Sequence, residues 1–217
     1  MLSLSRPLAI ALLLGTALLG VGAALHPILP HEPADQLRLI AATWYFRPVH
    51  LAMLCGSGLL ILGVWTRALM AAGGTMSTPP VPLLAALALV SLGLCFNAID
   101  IAFMGGAGTR MAALFVAGRT EVSAIFDALH MVGLMTARFG NFLVALGALL
   151  LGWVEARDAA SPRWVAWLAW IAGVGGLIGV LFFPEASLVI LTAVTLLSGW
   201  EVVTGIRGFA GARVRET

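Results

Sequence analysis

The chain has 217 residues, 61% of them hydrophobic and 10% charged, with a net charge of +2 and a mean hydropathy of +1.04. Soluble domains carry roughly 25% charged residues, so this composition excludes a soluble globule and points to lipid as the solvent. All twelve basic residues are arginine, and so small a net charge excludes a nucleic-acid surface.

A membrane helix needs about 20 mainly apolar residues. Six such runs follow one another, at residues 7–28, 48–66, 82–104, 123–154, 164–183 and 186–206. Proline opens the first three and precedes the fifth, where its missing N–H has no helical partner to lose. Breaks fall at Pro27 and Pro30, at Gly73, Gly74, Pro79 and Pro80, at Gly105, Gly106 and Gly108, at Ser161 and Pro162, and at Pro184. Arg6 with Gly22, Ala23 and Ala24 has the outline of a secretory signal, but the first run is read as a retained helix. Between the spans, residues 34–46 place Leu37, Ile40, Ala41 and Trp44 at helical spacing, and residues 110–118 do so with Met111, Leu114 and Phe115. Both segments are expected to lie along the outer membrane surface. The expected architecture is therefore all-α: a single transmembrane domain, a bundle of six membrane-spanning helices with short outer amphipathic segments.

Arginine counts set the orientation. With the N-terminus inside, Arg6, Arg67, Arg157, Arg163, Arg207, Arg213 and Arg215 share one face, and Arg38, Arg47, Arg110 and Arg119 the other. This places both termini in the cytoplasm of a bacterial cell, with the chain in its inner membrane. Trp65, Trp153, Trp164 and Trp167 then fall at the inner interface, and Trp44 and Tyr45 at the outer one.

Ionisable groups in lipid are costly and face the bundle interior, so their depths identify the candidate site. His26 ends the first helix, His50 begins the second, Asn97 and Asp100 end the third, and Asp127 and His130 begin the fourth. Alternating helix direction brings all six to one outer level, while His31 lies in a loop. Along the fourth helix Asp127, His130, Leu134, Arg138 and Asn141 share one face, and Arg138 is expected to pair with Asp100 or Asp127. Imidazole is the commonest ligand of transition metals, so His26, His50, His130, Asp127 and Asp100 are candidate ligands for zinc, copper or iron. Met53 and Met104 add thioether sulfur for Cu(I). A b-type haem is the second reading, with His50 and His130 as axial ligands and Arg47 neutralising a propionate.

The alternative from a different class is a ligand-free accessory subunit of a larger membrane complex. The GxxxG pair Gly175 and Gly179 and the lack of a catalytic motif favour it. No catalytic residue is assigned, Cys55 and Cys95 read as packing thiols, and Glu201 is expected to snorkel to the inner surface.

The run HPILPHEPADQLRLIAATWYFRPVHLAMLCGSGLLILGVW, with PRWVAWLAWIAGVGGLIG at the fifth helix, resembles the DUF4386-like small bacterial membrane proteins. That resemblance implies a multi-pass helical fold and transfers neither an activity nor a catalytic residue.

Overall fold

Helices account for nearly all of the computed structural model, which describes residues 5–72, 81–183 and 188–214. In chain order they are α1 (Ser5–Leu25), α2 (Pro33–Ala42), α3 (Phe46–Gly63), α4 (Thr66–Ala72), α5 (Val81–Phe103), a π-helical turn (Met104–Gly108), α6 (Thr109–Val116), α7 (Val122–Arg157), α8 (Arg163–Phe182) and α9 (Leu188–Val214). Five helical stretches, Arg6–Leu25, Phe46–Ala72, Val81–Val116, Val122–Arg157 and Arg163–Phe182, are long and apolar enough to cross a membrane. The breaks expected at Gly73, Gly74, Pro79, Pro80 and Pro184, and the expected start of the sixth span at Ala186, lie outside the described residues.

Of the boundaries that differ from the sequence reading, two bear on the candidate site. The first helix stops at Leu25, so His26 stands beyond its end. Gly105, Gly106 and Gly108 do not break the third span but form the π turn through which α5 continues into α6. The reason is packing: a Cβ at Gly105 would lie 2.7 Å from the His50 Cβ, so a bare backbone lets this turn sit against α3.

The six long helices pack in chain order, α1 on α3, α3 on α5, α5 on α7, α7 on α8 and α8 on α9, and α9 returns to α1. Neighbours run antiparallel, as paired depths show: Gly15 meets Gly56 and Leu60, Gly93 meets Gly140, and Gly173 meets Leu149. Without a hydrophobic drive between helices in lipid, such seams depend on small residues that let backbones approach. The apolar core runs inside this ring, from Leu12 of α1 through Leu60, Leu87, Leu151 and Ala169 to Trp200 of α9.

The Gly175/Gly179 face also packs within the chain. A Cβ at Gly175 would stand 3.6 Å from Ala193 of α9, and one at the adjacent Gly176 would stand 2.9 Å from Ala145 of α7. The feature that favoured an external partner thus has partners in its own bundle.

At the end of the bundle that carries His26 and His50, α2 and α6 lie against each other and against α7. Leu37 and Ile40 of α2, Ala112 of α6, Phe46, Met104, Val122 and Phe126 form a second, smaller core beneath them. The two amphipathic segments therefore act as a roof over the bundle. Trp44, at the helical spacing of the first segment, lies beyond the end of α2 and is 85% exposed.

Candidate metal centre

The histidines gather where α1 and α3 meet beneath the roof. His50 is buried on the first turns of α3, with its Nδ1 2.8 Å from the Phe46 carbonyl oxygen. A carbonyl only accepts, so Nδ1 carries the proton and donates, leaving the Nε2 lone pair free to ligate. This outer hydrogen bond is the kind that orients histidine ligands in metal sites. The His26 ring meets the His50 ring edge-on with centroids 4.9 Å apart, and Phe46 packs against both, at 4.2 Å from His50 and 5.5 Å from His26. Burial holds the His26 imidazole below its usual pKa of 6.5, opposed by a hydrogen bond to the Pro27 backbone. His26 is therefore a neutral, metal-competent imidazole at pH 7.

Met53 supplies a third donor. It follows His50 by three residues, and a Cβ placed at Gly22 of α1 would be 3.2 Å from its Sδ. Gly22 precedes His26 by four residues, so the thioether occupies the same α1/α3 seam about one turn inward of the two imidazoles. A tetrahedral ion with metal–nitrogen bonds of about 2.0–2.1 Å holds two imidazole centroids about 5 Å apart, close to the separation of His26 and His50.

The remaining candidates are placed differently. His130 is buried on α7 with its ring against Phe126, at a centroid distance of 5.2 Å. Asp127 is exposed, and no hydrogen bond or ion pair joins it to His130. Asp100 packs against Gly133, with Oδ1 buried and without a hydrogen-bond partner. Arg47 and His31 are exposed, and Met104 lies in the roof core. Among the described residues, no three side chains of His, Cys, Asp and Glu are disposed to hold a metal.

Arg138 corrects one expectation. It pairs with neither Asp100 nor Asp127: its Nε donates to the Val180 carbonyl at 2.7 Å and its Nη2 to that of Phe183 at 3.3 Å. These are carbonyls at the C-terminus of α8, where partial negative charge attracts a cation. Asn141, one turn inward, instead accepts a hydrogen bond from Asn97 at 3.1 Å.

Two buried carboxylates were missed as internal groups. Glu201 does not snorkel; it is 4% exposed inside the bundle, and Glu155 is 1% exposed at the end of the bundle opposite the histidines. Neither family models, curated proteins nor solved structures match this chain.

Proposed function

We propose that the protein is a six-span membrane protein of the bacterial inner membrane that holds a copper ion at its outer end for electron transfer. His26 and His50 are the nitrogen ligands and Met53 the sulfur ligand. The observation that carries this reading is the 4.9 Å imidazole pair, with one ring already oriented by Phe46 and a thioether in the same seam. Soft thioether with imidazole favours Cu(I) over zinc or a hard cation. The apolar core beneath α2 and α6 includes Phe46, which packs on His50, so a bound ion would be shielded from solvent on that side.

The test is copper loading of the purified protein followed by competition with a Cu(I) chelator. One copper per chain is expected. His50→Ala and Met53→Leu should each weaken retention by about 100-fold or more, while His31→Ala and His130→Ala leave it unchanged. Because burial keeps the His26 pKa below 6.5, retention should persist as pH falls through that value. A Soret band lost in His130→Ala would establish the haem reading instead. Equal copper retention by wild type and both ligand variants sinks the assignment.

The span count rests on α9, which packs along α8 and α1, and the orientation rests on the arginine counts. Glu32→Cys and Ala159→Cys, made with Cys55 and Cys95 replaced, test both. The first should label from outside, and the second only after permeabilisation. Labelling of both from one side refutes the topology.

A further inference from the structure

The inner half of the ring holds a polar group that the copper site does not use. Glu201 of α9 is 4% exposed, Thr16 of α1 8% and Thr204 of α9 1%, while Thr66 at the start of α4 is fully buried. Thr16 Oγ1 stands 2.8 Å from the Leu12 carbonyl oxygen and 2.9 Å from Glu201 Oε2. One hydroxyl has one proton to donate, and both neighbours are within hydrogen-bond distance. When that proton goes to the Leu12 carbonyl, the contact with Glu201 is made by a proton on the Glu201 carboxyl. The neutral acid satisfies both contacts; the carboxylate leaves two oxygens facing each other with no proton between them, in surroundings that penalise charge.

Glu201, Thr204 and Gly208 recur at steps of three and four on one face of α9. A Cβ at Gly208 would contact Thr66 and stand 3.4 Å from the Ala9 Cβ, so this face is turned to α4 and α1. The hydroxyl oxygens of Thr204 and Thr66 are buried with no hydrogen-bond partner, so neither bonds to Glu201, whose partner is Thr16. Thr66 adjoins Arg67, which is paired to Glu155 and to the half-exposed Asp158. The charges around Glu201 are few. Arg67 comes from α4, Glu155 from α7 beyond it, Arg207 from α9 itself, and Arg6 of α1 lies by Phe209 nearer the inner end. At this level α8 offers Leu168, against Gly199. On the outer side, an apolar cleft of about 30 Å³ between α7, α8 and α9 ends at Leu197, one turn before Glu201. Asn141 is the sole polar residue lining that cleft.

We propose that Glu201 is a proton-binding site within the bundle, where at pH 7 its carboxyl is held as the neutral acid beside the Thr16 hydroxyl.

Infrared difference spectroscopy of the full chain in lipid, comparing H2O with D2O at pH 7, tests this. A protonated carboxylic-acid carbonyl band is expected that shifts on deuteration, disappears in Glu201→Gln and moves in frequency in Thr16→Val, which loses its partner. If Glu201→Gln instead removes only an ionised-carboxylate band, the proposal is overturned. Loss of the acid band on replacing choline with sodium at constant pH also overturns it, since the oxygens would then be a cation cage. Thr16→Val keeps the test decisive should Glu201→Gln fail to fold.

Discussion

Arg67→Ala is expected to destabilise the protein by about 3–5 kcal/mol, the cost of removing one partner from a buried ion pair. The Arg67 side chain is 4% exposed and that of Glu155 fully buried. Arg67 Nε donates to Glu155 Oε1 at 2.7 Å and Nη2 to Asp158 Oδ2 at 2.5 Å. Glu155 also accepts from Ser161, while Arg207 holds Ser161 at 3.1 Å and the Ala160 carbonyl at 3.0 Å. Removing Arg67 leaves the Glu155 carboxylate with the Ser161 hydroxyl and, as its remaining cation among the described residues, the more distant Arg207 guanidinium, 3.9 Å away. The cost is the stranded charge rather than the net worth of the pair, so Arg67→Met combined with Glu155→Leu should recover most of the loss. Denaturant titration in detergent, read by tryptophan fluorescence, checks both. An unchanged midpoint for Arg67→Ala, or a double variant as weak as the single one, contradicts this account.

That network illustrates what the sequence made visible and what it did not. Apolar runs, prolines at helix starts and amphipathic spacing in residues 34–46 are local signals, and the helices stand close to where those signals put them. Glu155 and Arg67 lie 88 positions apart, and their meeting depends on how α7 and the α3/α4 junction pack, which no local pattern contains. Glu201 is similar. Taken alone, a carboxylate near a helix end should reach for water, but return of α9 to α1 puts Thr16 beside it. The recurrence of Glu201, Thr204 and Gly208 on one face was the available signal.

On α7 the reading of one continuous polar stripe was too coarse. Asp127, His130, Arg138 and Asn141 share a helical face by spacing, but that face borders three different neighbours. His130 is covered by the roof, Asn141 turns to α5 and Arg138 to the end of α8. The same limit applies to the site. Depth along the helices brought six polar residues to one level, but rotation about each helix decides which of them meet. Gly22 and Gly105 record those rotations, by facing Met53 and His50 respectively.

The seams yield the final expectation, an opposite sign for one chemical change at two places. Gly93→Ala puts a methyl 2.5 Å from the Gly140 carbonyl oxygen and 2.6 Å from Val144 Cγ2. The side chain can turn away, but the carbonyl belongs to the α7 backbone, so α5 and α7 must separate. Because α5 and α7 share the longest contact in the ring, the loss spreads to neighbouring pairs, and a cost of about 1–3 kcal/mol is expected. Gly20→Ala places its methyl where nothing lies within 4 Å, in the middle of α1. There the only effect is on the backbone, and alanine is the better helix former by about 0.5–1 kcal/mol, so this variant should be slightly stabilised. Thermal unfolding of both in the same detergent reads the difference directly. If both substitutions shift the midpoint in the same direction, close backbone approach at Gly93 is not what holds α5 to α7.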